Sequence, residues 1–207
     1  METIKKIVII GPESTGKTTL CRQLAEHYKT QWVPEYAREY LLTNGKDYSY
    51  DELLTIAKGQ IDLEEKIVQQ LPGISYQTPV SSRGEATIPM QSSIDVPHNL
   101  SLIPGTLFID TDMYVMKVWC EFVFNKCHNW ILNRIAERRY DGYLLCSADV
   151  DWVKDDLREY PDKKTRDKLY YYYKDLMVNQ PVPWADIFGD YNTRFSKAID
   201  FIETKIR

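Results

Sequence analysis

Long apolar runs are missing from this chain. Its longest aliphatic stretch, Ile7 to Ile10, is closed at once by Gly11, Pro12 and Glu13. That is far short of the roughly 20 residues of a membrane-spanning helix, and it ends too early for a secretory leader. An excess of positive charge is missing too. The chain carries 26 Lys and Arg against 30 Asp and Glu, a net charge of −4, which speaks against a protein that coats nucleic acid. Cysteine is scarce: Cys21, Cys120, Cys127 and Cys146 show no CxxC and no histidine pairing at zinc-finger spacing. They read as buried thiols of a reducing cytoplasm, not as a disulfide framework or a metal site. No internal repeat is visible. The composition, 43% hydrophobic and 27% charged over 207 residues, is globular and large enough for a sizeable core.

What is present alternates. Lys6 to Ile10, Gln31 to Val33, Thr106 to Asp110, Tyr143 to Cys146 and Trp184 to Phe188 read as short strands, the first three closed in turn by glycine, proline and acid. Helical spacing fills the intervals from Thr18, over Tyr36 to Leu42, Asp51 to about Gln70, Met113 to Phe124, Trp130 to Arg138, and Thr193 to Ile206. Such alternation predicts an α/β fold of three layers, a central parallel sheet of about five strands flanked by helices, in one domain over 1–207. One stretch breaks the rhythm: five of the ten prolines and six serines fall between Pro72 and Gly105. Proline at that density excludes a long helix and a central strand alike. The segment 72–105 reads as an excursion from the sheet, either a Pro-rich flap over a neighbouring surface or, the favoured expectation, a flexible, disordered loop.

Gly11-Pro12-Glu13-Ser14-Thr15-Gly16-Lys17-Thr18 matches G-x-x-x-x-G-K-[ST] at every fixed position, after a strand and ahead of a helix. Its glycines let backbone amides wrap an anion, and the helix aims its positive end at the same place. Gly11, Glu13, Ser14, Thr15, Gly16, Lys17, Thr18 and Thr19 are therefore the expected ATP-binding residues. Lys17 is expected on the β- and γ-phosphates and the Thr18 hydroxyl on Mg²⁺. A P-loop names a nucleoside triphosphate, not the fate of its γ-phosphate.

Ligands of open α/β sheets lie beyond the carboxyl ends of the strands. Two such ends here are acidic. Glu35 follows the second strand and suits a general base that accepts a proton from an attacking hydroxyl. Asp110 closes the third and suits Mg²⁺. Each has a plainer reading: Asp110 and Asp112 as helix caps or Asx turns, Glu35 as a solvated first-turn acid. A basic segment at about 154–168 follows the fourth strand, with four cations from Arg158 to Arg166. Arg158 and Arg166 are expected to close over the transferring phosphate as a lid. A solvated helix face suits Lys163 and Lys164 better. Arg194, opening the last helix, is placed either near the adenine and phosphates or at the surface.

Together the strings GPESTGKTTL, VPEYAREYL, IAKGQ, LFIDTD with Trp119 seven residues beyond Asp112, and YDGYLLCSADVDWVKDDLRE resemble, in order and spacing, the ribosylnicotinamide kinase domain of the bacterial NadR family. The resemblance covers nearly the whole chain apart from about 72–105. It implies ATP- and Mg²⁺-dependent phosphorylation of the 5′-hydroxyl of nicotinamide riboside to nicotinamide mononucleotide. It also implies a small-molecule partner, no membrane and no nucleic acid. Multi-domain relatives carry an adenylyltransferase domain and often a DNA-binding helix-turn-helix ahead of the kinase. The first strand here starts within a few residues of the chain's beginning, so neither is expected. The physics of the substrate agrees, because a pyridinium cation is attracted to aromatic faces where water is excluded. Trp119, Trp152 and Tyr36 are the candidates to flank it, with Trp119 first, although each equally suits plain core packing. Glu35, Arg38 or Asp112 would read the ribose hydroxyls. Two rivals stand beside this reading: a kinase for another nucleoside, and an ATP-binding regulatory module with little turnover.

Overall fold

The computed structural model describes residues 4–71 and 105–207. The excursion expected at 72–105 therefore lies, from 72 to 104, outside the described residues.

Five parallel strands build one sheet: β1 (Lys5–Ile10), β2 (Trp32–Val33), β3 (Thr106–Asp110), β4 (Gly142–Cys146) and β5 (Trp184–Ile187), in the spatial order β2-β3-β1-β4-β5. The hydrophobic run of β1 takes the centre, pairing Ile9 with Asp110 on one side and Ile9 with Leu144 on the other. Among the described residues seven α-helices flank the sheet: α1 (Lys17–His27), α2 (Tyr36–Asn44), α3 (Tyr50–Gln70), α4 (Met113–Phe124), α5 (Asn129–Glu137), α6 (Lys163–Val178) and α7 (Tyr191–Phe201), the last running into a π-turn at Ile202–Ile206. The expected elements all form.

Alternate strand residues point to opposite faces, so a sheet covered on both sides must be apolar at every position. Val8, Ile10, Val33, Leu107, Ile109 and Leu145 pack with α3, α4 and α6 on one face. Ile7, Ile9, Phe108, Leu144 and Ile187 pack with α1 and α7 on the other. These are the three expected layers. A separate cluster, Ala37, Leu41, Leu53, Ile56, Met113, Met116 and Ile131, ties α2 and α5 to the outer sides of α3 and α4. It is what holds α2 beside the strand ends.

One buried acid pins α3 to the sheet. Glu64 is 1% exposed and accepts from Lys6 Nζ at 2.9 Å, Arg138 Nη2 at 3.0 Å and the Tyr140 hydroxyl at 2.9 Å. A buried carboxylate is tolerable only when its lone pairs are satisfied in this way. Among the described residues no helix is long and apolar enough to cross a membrane.

Candidate functional site

The loop between β1 and α1 is shaped by three residues in the left-handed region. Gly11 sits at φ +138°, Ser14 at +56° and Gly16 at +78°. Gly11 is also required sterically, since a Cβ there would lie 2.5 Å from the Cys146 carbonyl oxygen at the end of β4. Alternation of this kind builds the anion-binding concavity that the motif predicts. No acid occupies the first turn of α1, so its positive end stays uncompensated. The buried Thr15 hydroxyl donates to the Pro12 carbonyl at 2.8 Å, and Lys17 Nζ folds back to the same oxygen at 2.8 Å.

A cavity of about 390 Å³ opens from this loop. Residues 11–19 form its phosphate end, Glu35 lines it just ahead of α2, Arg38 and Leu41 line it from α2, and Val115, Val118, Trp119 and Phe122 line it from α4. Glu35 precedes α2 without capping it, which leaves its carboxylate to the cavity. Two residues of α3 hold that corner. Gln60, 2% exposed, accepts from the Tyr36 amide at 2.7 Å and donates to the Pro34 carbonyl at 3.2 Å, clamping the turn that carries Glu35. Gly59 leaves room for the Tyr36 ring, whose Cε1 lies 2.1 Å from where a Cβ would stand.

Asp110, wholly buried, accepts from the Thr18 hydroxyl at 2.6 Å through Oδ2, while Oδ1 has no partner among the described residues. Burial, and after it the charge of Glu35, push its carboxyl up to about 7, against the pull of Lys17 and Thr18. A hydroxyl and a free carboxylate oxygen side by side are hard oxygen donors of the kind Mg²⁺ takes. Among the described residues no group of three or more His, Cys, Asp or Glu could hold a metal alone. An ion here would need phosphate oxygens to complete its shell, which is the usual arrangement for Mg²⁺.

The expected basic lid divides in two. The connection 147–162 between β4 and α6 lies over the phosphate loop, gripped by two loop side chains. The Glu13 carboxylate accepts from the amides of Glu159 at 2.9 Å and Tyr160 at 2.6 Å and from the Trp152 indole at 3.3 Å. The Ser14 hydroxyl accepts from the Val153 amide at 3.0 Å and from Arg158 Nη1 at 3.2 Å. Arg158 lines the cavity. Arg38 is bound to Asp155 of the same connection at 2.8 Å. Arg166 instead sits in the first turn of α6, 4% exposed, donating to the Val150 carbonyl at 3.2 Å and away from the cavity lining. Lys163 pairs with Asp167 on the outer face of α6, the solvated role expected of the lysines.

The AAA domain family model matches residues 6–73 and 99–194. The chain belongs to this family. The trifunctional NAD biosynthesis/regulator protein NadR of Escherichia coli (strain K12) is 22% identical over 204 residues, covering 96% of this chain and 42% of the relative. The chain thus spans less than half the length of the curated relatives it matches. A crystal structure of NadR protein in complex with NR superposes with a TM-score of 0.73 at 22% identity, over 98% of this chain and 52% of that one. Deoxyadenosine kinase from M. mycoides with bound dATP shares the fold at a TM-score of 0.54 and 12% identity, over 97% of this chain and 100% of that one. The resemblance read from the motifs and the three-layer sheet are both borne out.

Several candidates lie around this AAA-domain cavity without lining it. Trp152 is engaged by Glu13, and the Tyr36 ring packs on α3. Arg194, 2% exposed, is a brace and not a surface residue. It donates to the Thr15 carbonyl at 2.9 Å, Ser147 at 3.0 Å and Gly189 at 2.7 Å, and pairs with Asp149. Those bonds hold the back of the phosphate loop to the ends of β4 and β5. Asp112 takes the cap reading: it accepts from the Tyr114 and Val115 amides of α4 at 2.9 and 3.4 Å and from the Tyr143 hydroxyl at 3.1 Å. Sequence reasoning missed Gln60, Gly59 and, behind the cavity wall, Tyr48, whose hydroxyl accepts from the Trp119 indole at 2.8 Å. The only trace of the first two was the string IAKGQ, quoted for its resemblance without a physical role.

Asp112 allows a stability test with a definite sign. Burial first, opposed by its hydrogen bonds, pushes its carboxyl up to about 7. In the unfolded chain it ionises near the ordinary aspartate value of about 3.9. As pH rises between these values the unfolded state sheds a proton that the folded state keeps, so folding is progressively disfavoured, fully so above about 7. Asp112→Asn keeps the capping oxygen and removes the charge. Its thermal midpoint should match the parent near pH 4 and exceed it at about pH 8. Parallel midpoints at both pH values would contradict a charge buried at cost.

Proposed function

We propose that this chain is an ATP-dependent nucleoside kinase whose acceptor is nicotinamide riboside and whose product is nicotinamide mononucleotide. One observation carries the reading: a single cavity joins the phosphate loop to an indole wall at Trp119, with the uncapped acid Glu35 on its lining. The NadR relative, described as a NAD biosynthesis protein, and the NadR structure described with bound NR support the choice of acceptor.

In this scheme the loop amides and Lys17 hold the triphosphate tail. Thr18 and Asp110 would hold Mg²⁺, which when bound offsets phosphate charge. Glu35 accepts the proton of the acceptor's 5′-hydroxyl as its oxygen bonds to the γ-phosphorus and the bond to the ADP oxygen breaks. Lys17 and Arg158 face the charge that spreads over the equatorial oxygens. Trp119 supplies an apolar, electron-rich face for the pyridinium ring.

The test is ADP release with nicotinamide riboside, uridine, thymidine and no acceptor. Nicotinamide riboside should give the highest kcat/KM. Equal ADP release with and without acceptor would favour the regulatory-module alternative, and preference for uridine or thymidine another nucleoside kinase. Trp119→Ala should raise the nicotinamide riboside KM about tenfold, as loss of a desolvated cation–π contact requires, and leave the ATP KM within twofold. If neither KM moves, Trp119 is core packing only.

A further inference from the structure

Trp119 has a single polar atom, the indole N–H, and that donor is taken by a residue outside the cavity lining. Trp119 Nε1 donates to the Tyr48 hydroxyl at 2.8 Å, and the same hydroxyl donates onward to Glu159 Oε2 at 3.0 Å. The direction is forced, because an indole only donates and a carboxylate only accepts. Tyr48 also meets Trp119 edge-on, ring centroids 4.9 Å apart at 75°, and packs against Phe124. Its segment is pinned at the next residue, where Ser49 and Glu52 form a reciprocal capping box at the start of α3. At the other end of the chain of contacts, the Glu159 amide is held by Glu13 of the phosphate loop at 2.9 Å. An unbroken path of hydrogen bonds and backbone therefore runs from the loop that receives phosphate to the indole at the opposite wall.

We propose that Tyr48 is a positioning and specificity-determining residue: its hydroxyl, anchored by Glu159 of the 147–162 connection, sets the plane of the Trp119 indole against the acceptor's base. The inference rests on the nucleoside kinase reading above. An indole with its N–H unpaired could swing about its side-chain torsions. A fixed one presents the same face to every acceptor and rewards the base whose charge suits that face. Because Glu159 is also bound at Glu13, seating of the connection on the phosphate loop and alignment of the base wall are linked through contiguous bonds.

Tyr48→Phe removes the hydroxyl and keeps both ring contacts. The acceptor KM should rise about fivefold, the size of one net hydrogen bond, with kcat and the ATP KM within twofold and the thermal midpoint nearly unchanged. In a Trp119→Phe background, which has no N–H to hold, adding Tyr48→Phe should change the acceptor KM by less than twofold. A second readout needs no turnover. The chain's five tryptophans give indole N–H signals in a proton–nitrogen correlation spectrum, and the one lost in Trp119→Phe identifies its owner. That signal should shift, and exchange faster with water, in Tyr48→Phe. An acceptor KM unchanged by Tyr48→Phe, an equal rise in the Trp119→Phe background, or an unmoved indole signal each overturns the proposal. The KM measurements use whichever nucleoside of the panel the parent turns over fastest. Turnover of uridine or thymidine in preference to nicotinamide riboside thus defeats the pyridinium reading while leaving the role of Tyr48 to be judged by the same numbers. A parent that turns over none of them overturns both.

Discussion

Lys17→Ala is expected to lower kcat by about a thousandfold with every acceptor, while the protein stays folded. The two halves of that expectation rest on different contacts. The shape of the phosphate loop is held by Gly11 and Gly16 in left-handed conformations, by the Thr15 hydroxyl on the Pro12 carbonyl, and by Arg194 on the Thr15 carbonyl. None of these involves the lysine ammonium, whose contact is a donated bond to the Pro12 oxygen. Removing the amine therefore takes one charge from the phosphate end of the cavity without dismantling the cradle. Thermal melting should show a midpoint close to the parent's, and calorimetry should show ATP binding weakened but present, since the amides and the α1 terminus remain. Lys17→Arg should recover little, because a planar fork on a longer stem does not replace a compact point charge. A Lys17→Ala enzyme within tenfold of the parent would mean that phosphoryl transfer does not take place at this loop.

The sheet was legible because its central strand is apolar on both faces: Ile7 and Ile9 serve one layer, Val8 and Ile10 the other, so the run needed no partner to be recognised. The phosphate loop was legible for a related reason, since its residues are contiguous. Asp110 and Asp112 show where such reading stops. Two residues apart on a strand they would share a face, yet one meets Thr18 and the other caps α4. Thr111 between them lies at φ +80°, a conformation a β-branched residue adopts only at a cost. Nothing in the order Asp-Thr-Asp announces that twist.

The remaining misses are long-range. Arg194 reaches Thr15 across 179 positions, and Trp119 reaches Tyr48 across 71. Arg158 and Arg166 are only eight apart in sequence, but the start of α6 falls between them, leaving Arg158 on the cavity and burying Arg166 behind it. Composition marks such a segment as basic. Which of its cations faces a ligand depends on a helix boundary that Asp162 sets by capping at the Thr165 amide.

Glu35→Gln is expected to lower kcat by about a hundredfold to ten-thousandfold and also to displace the pH profile. The amide is isosteric and α2 takes no cap from this side chain, so folding should be unaffected. On the proposed mechanism, what disappears is the proton acceptor on the cavity wall. The displacement follows from Asp110. Its carboxyl stands at about 7 because of burial and, next, the negative charge of Glu35. Metal holding requires Asp110 ionised, so kcat/KM should fall as pH drops through that region. With Glu35 neutralised the opposing charge is gone and Asp110 ionises more easily, so the acid limb of kcat/KM moves to lower pH even as the plateau falls. A general base lost without any electrostatic link to Asp110 would lower the plateau and leave the limb in place. A purely structural Glu35 would do neither. The reading of Glu35 as base and Asp110 as metal holder therefore fails if Glu35→Gln keeps a parent-like kcat, or if the acid limb moves upward.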